Sequence, residues 1–259
     1  MNTTVKISFL TCIIVTALYV VLLYPLVLID ILKVSDLVLV SLSILPGFFI
    51  MALIYNLDAQ NKNKEPLWLL AIAFILGAIN LYLDINILDV LLSTNDVQHN
   101  FLNTGIDALT VSTTEELLKF LVVMLIIYPN KNFDEPFDGI VYSVFVGMGF
   151  ATAENLTFVL QGSASLALMR MISAVPAHFV FAVIMGYYLG KAKGKKKTQL
   201  LFIFLSILIP IIIHAVYDYF LFIDFIHGVW IGGIITLIIA LFIAKKSIEE
   251  HMNASPFKK

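Results

Sequence analysis

Apolar residues run along this chain in blocks of about 20 separated by short polar stretches, and blocks of that length cross a hydrocarbon core of roughly 30 Å as helices. Eight such blocks fall near 7–29, 36–56, 67–90, 106–128, 137–160, 167–190, 199–223 and 227–244. The first exceeds the apolar run of a signal peptide and no small-residue cleavage site follows it, so it counts as a span. The third is interrupted in its second half by Asp84 and Asp89, which suggests an earlier exit.

Composition turns this pattern into a class. The 259 residues are 60% hydrophobic and 13% charged, against usual values of roughly 45–50% and 25%. That leaves too few polar side chains to cover a water-soluble globule, whereas a bilayer needs no such covering. The net charge of −2 gives no reason to expect nucleic acid as a partner, and the single cysteine, Cys12, allows neither an internal disulfide nor a thiolate metal site. The expected fold is therefore all-α: one integral membrane domain over 1–259, multi-pass in the cell membrane, with the lipid bilayer as its surroundings.

The distribution of Lys and Arg orients it. Of 16 cations, Lys6, Lys62, Lys64, Lys131, the five lysines of 191–197, Lys245, Lys246, Lys258 and Lys259 fall on one face of an eight-span arrangement. Lys33 falls on the other, and Lys119 and Arg170 lie inside spans. Both termini and the 191–197 run are thus expected in the cytoplasm. The run reads as a topology signal, with anionic lipid as the other reading. No internal repeat is evident, and the longest extracytoplasmic connection, around 91–105 with His99, is too short to fold alone.

An ionisable group at mid-bilayer costs on the order of 2.5–3.5 kcal/mol on insertion scales, so each needs a partner or a purpose. The fourth span carries Glu115, Glu116 and Lys119, with the lysine at i+4 and i+3, within reach of either acid. One ammonium facing two carboxylates leaves an acid uncompensated, a candidate general base. The fifth span holds the small-residue pairs Ser143/Gly147 and Gly149/Ala153, which favour close helix packing, and carries Glu154 and Asn155 deep in the same helix. Asp138, at its start, reads as a helix cap. The sixth span holds His178 after Pro176, and the seventh His214 and Asp218 after Pro210. A proline beside each histidine predicts kinked helices, and the i, i+4 spacing lets Asp218 orient His214 or join it as a metal ligand.

At a rise of about 1.5 Å per residue, Glu115 and Glu116 lie roughly 15 Å from the outer end of their span, Glu154 about 9 Å, His178 about 16 Å, His214 about 13 Å and Asp218 about 8 Å. Four consecutive helices thus place their polar groups in one layer of the outer half of the membrane.

These residues resemble the PrsW family of intramembrane proteases, part of a wider superfamily with CAAX-prenyl endopeptidases and bacteriocin-processing or immunity proteins. The resemblance covers roughly 105–220, a four-helix catalytic core. It rests on Glu115-Glu116-x-x-Lys119, on Phe137-Asp138-Gly139-Ile140-x-Tyr142 running into Gly147-x-Gly149-Phe150-Ala151-x-x-Glu154-Asn155, on His178-x-x-Phe181 and on His214-x-x-x-Asp218. Ser143 replaces the glycine expected after Tyr142, and Lys119 stands where the wider superfamily has arginine. The resemblance implies an endopeptidase that cuts a membrane-anchored protein, typically a single-pass anti-sigma factor, near the outer face. It gives Glu116, with Glu115 as the other candidate, the activation of water, and His178 and His214 the polarisation of the carbonyl or its oxyanion. Asp218 would orient His214, Lys119 would tune the glutamates, and Glu154 and Asn155 would complete the pocket.

No HExxH is present. A metal-free glutamate mechanism is the favoured expectation, with a zinc-like divalent metal on His178, His214 and Asp218 as the other reading. Two rivals use the same residues differently: a small proton-coupled transporter, and a non-catalytic immunity or scaffold protein with the same fold. The absence of paired repeats and the single polar layer weigh against the transporter.

Overall fold

The computed structural model describes residues 36–58, 64–92, 100–161, 164–193 and 195–256; the expected span at 7–29, Cys12, Lys33 and His99 lie outside them. Among the described residues the chain is all-helical. The helices are α1 (Asp36–Asp58), α2 (Leu67–Leu92), α3 (Phe101–Val122), α4 (Pro136–Gln161), α5 (Ala164–Ile172), α6 (Ala174–Ala192), α7 (Gln199–Phe222) and α8 (Ile231–Ala254). One wider π turn, Val123–Ile127, extends α3. Five segments are long and apolar enough to cross a membrane, Leu67–Leu92, Pro136–Phe158, Met169–Ala192, Gln199–Phe222 and Ile231–Ala254, and Ile44–Asp58 is a shorter apolar helix. The chain is a multi-pass membrane protein.

Helix α4 is the axis of the bundle. Its Val144, Val146, Met148 and Phe150 are fully buried, because α1, α2 and α6 all pack on it. Its glycines permit this. A β-carbon at Gly149 would overlap the Phe74 carbonyl of α2, one at Gly77 the Val146 carbonyl, and one at Gly186 the Gly139 carbonyl. Gly147 faces α6, where an added β-carbon would stand 2.8 Å from the Ala182 side chain. The two small-residue pairs therefore serve opposite faces, and contact at backbone distance on both sides makes α4 rigid. Outward faces are apolar instead: Tyr82 of α2, Leu200 of α7 and Phe242 of α8 are largely exposed, as suits lipid.

Four expectations about the elements change. Asp84 does not end α2, which runs on to Leu92; Asp84 is buried and turned inward, and one turn earlier Asn80 Nδ2 donates to the Leu118 carbonyl of α3 (2.9 Å). The expected span at 167–190 stands as the apolar segment Met169–Ala192, but it is interrupted at Ser173, where one helix ends and the next begins. Pro176 lacks an N–H and its ring conflicts with the carbonyl four residues back, that of Ile172, where α5 ends. Pro176 thereby sits in the first turn of α6 and not at a mid-helix kink beside His178. Lastly, α8 continues past 244 to Ala254, held to α6 by a Lys191 Nζ–Glu250 Oε1 ion pair (2.9 Å) and by the Tyr187 hydroxyl, which donates to Glu250 (2.7 Å).

The ends of α1, α3, α6 and α8 and the starts of α2, α4 and α7 form one lysine-rich end of the bundle. Lys193 Nζ donates there to the Tyr128 carbonyl (2.7 Å). Buried acids gather at this end as well. Asp58 Oδ2 accepts the Glu65 N–H (2.9 Å), Tyr142 donates its hydroxyl to Glu65 Oε2, and Asp138 Oδ2 accepts the N–H groups of Asp134 and Glu135 (both 2.7 Å). Asp138 is thus the reverse half of a capping box at the start of α4.

Candidate active site

Toward the other end of the bundle, α3, α4, α6 and α7 turn their polar side chains onto one another. On α3, the 3.6-residue period puts Glu115, Glu116 and Lys119 on one face, all nearly inaccessible. Lys119 Nζ lies 3.0 Å from Glu115 Oε2 and 2.9 Å from Glu116 Oε1. Its third contact crosses to α6, where it donates to His178 Nδ1 (3.1 Å). It also stands over the Phe150 ring of α4, 4.1 Å from the centroid, a further stabilising contact for a buried cation.

This geometry sets the tautomer of His178. An ammonium has donors only, so Nδ1 accepts and the ring proton is on Nε2. That N–H meets Glu154 Oε2 of α4 at 2.8 Å. On α7, His214 Nδ1 lies 3.0 Å from Glu116 Oε1 and Nε2 lies 3.2 Å from Asp218 Oδ2. With a carboxylate on each nitrogen, both are satisfied only by the doubly protonated ring. Phe181, one turn after His178, stacks on His214 with centroids 4.4 Å apart and planes at 23°, and the two imidazoles are 5.6 Å apart.

The result is one connected series: Asp218, His214, Glu116, Lys119, His178 and Glu154, with Glu115 beside Lys119. All the residues singled out on α3, α4, α6 and α7 as site residues take part, and Asn155 is reached through Arg170, whose Nε donates to Asn155 Oδ1 (2.9 Å). Within this series Glu116 Oε2 is buried and has no protein partner.

Two participants were not singled out as site residues from the sequence. Arg170, at the end of α5, places Nη2 2.8 Å from Glu154 Oε1. Asp84 of α2 lies within hydrogen-bonding reach of Thr114 and within electrostatic range of Lys119, Glu154 and His214. Their signal was present: Arg170 and Lys119 are the two cations inside the spans expected from the sequence, and Asn80 and Asp84 are i, i+4 on one face of an apolar helix.

The metal-ligand set changes. Among the described residues, donor atoms near this layer converge within 4.8 Å at Glu115, Glu116 and His214, all buried, and not at His178, His214 and Asp218. His178 presents Nδ1 to Lys119, and Asp218 is engaged by the far side of the His214 ring. Two carboxylates and an imidazole would make a donor set suited to a zinc-like ion only once His214 gives up its Nδ1 proton and Lys119 leaves its place between the acids.

Residues 65–245 match the family described as PrsW family intramembrane metalloprotease. Among curated relatives, the chain is 34% identical to Protease PrsW of Oceanobacillus iheyensis over 184 residues, 71% of this chain and 82% of that protein. It is 34% identical to Protease PrsW of Clostridioides difficile over 198 residues, 74% and 83%, and 33% identical to Protease PrsW of Bacillus subtilis over 184 residues, 71% and 82%. No solved structure matches the chain.

Proposed function

We propose, from the premise that the chain belongs to the PrsW family of intramembrane metalloproteases and is a peptidase, that Glu116 activates the water that cuts a single-pass membrane protein near the extracytoplasmic face. The observation that carries this reading is Glu116 Oε2, a buried oxygen left open on a glutamate whose other oxygen Lys119 and His214 hold.

Glu116 Oε2 takes a proton from water as the water oxygen bonds to the peptide carbonyl carbon. Lys119 and His214 hold Glu116 through its other oxygen, which keeps Oε2 turned away from them. The positive charge of Lys119 and His214 stabilises the oxyanion, and His178, fixed by Glu154 at Nε2, holds Lys119 in place through Nδ1. The C–N bond then breaks as the proton held by Glu116 passes to the departing nitrogen. Asp218 orients His214, Glu115 shares Lys119, and Glu154 with Asn155 closes the pocket. Glu115, Glu116 and His214, the last in its neutral form, would hold a divalent ion, which would supply Lewis-acid polarisation and a more acidic water.

The topology in this reading has eight spans, with both termini and the lysine-rich end in the cytoplasm and the polar layer in the outer half of the cell membrane. The whole chain is one integral membrane domain, with 105–220 as its catalytic core. The substrate is an anti-sigma-factor-like protein. Glu116→Gln removes the base and keeps the shape. Cleavage of a co-expressed single-pass protein should fall by about 100-fold or more, with insertion and thermal midpoint retained. Full processing by Glu116→Gln, Glu115→Gln and the double variant would refute the reading.

A further inference from the structure

We infer that Arg170 is a positioning residue for this reaction, acting through Glu154 on the ring of His178; the inference rests on the proposed role of the polar layer. Arg170 ends α5, a helix of its own behind the break at Ser173. Ser173 caps that break by donating its hydroxyl and its N–H to the Met169 carbonyl (2.7 and 3.0 Å). From there the guanidinium grips the last turns of α4 at three points. Nη2 stands 2.8 Å from Glu154 Oε1, Nε donates to Asn155 Oδ1 at 2.9 Å, and the guanidinium carbon lies 3.9 Å from the centre of the Phe158 ring. A rigid planar fork fixes orientation in a way that a single ammonium does not.

Glu154 has two oxygens and two partners. Arg170 takes Oε1, which leaves Oε2 for the Nε2–H of His178 at 2.8 Å. A carboxylate rotates about a broad, two-fold torsion, so an oxygen free of Arg170 lets the group turn and the imidazole hydrogen bond lengthen. Lys119 already dictates that the His178 proton is on Nε2, so Glu154 Oε2 is the acceptor on which the ring's orientation depends. Arg170 is only 17% exposed at its side chain and Glu154 15%, which shields the pair from water. A role confined to neutralising one buried acid predicts loss of folded protein on removal of Arg170. Positioning predicts loss of turnover from protein that remains folded.

The test uses the full chain in detergent micelles, with a doubly tagged single-pass membrane protein chosen because the unaltered chain shortens it. Arg170→Gln should lower kcat by roughly 10- to 100-fold, as expected for a displacement near 1 Å at the reacting groups, with KM changed by less than about two-fold. Arg170→Lys, which keeps the charge at Glu154 and loses the fork to Asn155, should fall between the two. In spectra of chain carrying 15N-labelled histidine, the Nε2–H signal of His178 should weaken and broaden in Arg170→Gln and remain in Arg170→Lys. Unchanged kcat, kcat that falls only in step with folded protein in both variants, or an unaltered His178 signal would each overturn the inference. The histidine spectrum needs no substrate. Failure of the proteolytic reading would appear separately, as cleavage that survives Glu116→Gln.

Discussion

Helix α4 joins two groups of buried acids, with Asp138 at its start and Glu154 about two turns from its end, and the two groups solve the same electrostatic problem differently. Around Glu154, the acids Glu115, Glu116 and Asp218 are interleaved with Lys119, Arg170 and two imidazoles at 2.8–3.2 Å. Around Asp138, the acids Asp58 and Glu65 are held by backbone N–H groups and by the Tyr142 hydroxyl. The first arrangement keeps formal charge of both signs inside the protein. The second meets its acids with neutral donors at a helix start, and buried carboxylate oxygens stay open in both groups, Glu116 Oε2 in the first and Asp58 Oδ1 and Asp138 Oδ1 in the second. Burial of a carboxylate therefore does not separate the two groups; the kind of partner does.

The largest effect expected from this difference follows from removing a cation. Lys119→Met leaves Glu115 without its cation and Glu116 with His214 alone, and breaking a buried pair in this way destabilises by about 3–5 kcal/mol. Thermal unfolding in micelles should show the loss, and Glu115→Gln added to it should restore part. The matching change at the lysine-rich end, Asp138→Asn, keeps an oxygen for the Asp134 and Glu135 N–H groups and should cost no more than about 1 kcal/mol. Equal losses in the two variants would erase the distinction between the clusters.

A smaller effect tests the helix that holds both groups in register. Ala at Gly149 or at Gly186 drives a methyl into a backbone carbonyl of α2 or α4, and overpacking of this kind costs about 1–3 kcal/mol. Gly105→Ala is the control, since its new carbon would meet Tyr219 at 3.6 Å, an ordinary contact. Melting of the three variants checks the order; a Gly149→Ala chain as stable as Gly105→Ala would show that α4 has room to move.

How far the sequence revealed these regions depended on contrast. Glu115, Glu116, Lys119, Glu154, His178, His214 and Asp218 stand out because each interrupts an apolar run, and helical rise alone placed them at one depth. Arg170 stood out equally, but nothing in its own span showed that it meets Glu154 and Asn155 of α4. Asp84 looked like the end of a span because its partners on α3 come from a different part of the chain. Glu65, Asp58 and Glu135 drew no notice at all. In a loop or at a helix end an acid is ordinary, and only the packing of the tight turn before α4 against the connection before α2 buries them.

That buried loop acid supplies the most selective prediction. Glu65 lies in the connection before α2, and burial pushes its carboxyl well above its ordinary 4.5, with the charge and hydrogen bond of Asp138 and the charge of Asp58 adding to the rise. Folded protein therefore keeps the proton at pH values where unfolded chain has released it. The contribution to stability is complete below about pH 4.5 and is lost progressively as pH rises through the neutral range toward the folded value. Glu65→Gln cannot ionise and still offers Tyr142 an oxygen, so its midpoint should fall less between pH 6 and pH 9 than that of the unaltered chain. A variant whose midpoint falls just as steeply would show that Glu65 is ionised in the folded protein, and that the lysine-rich end, like the active layer, holds its acids as charges.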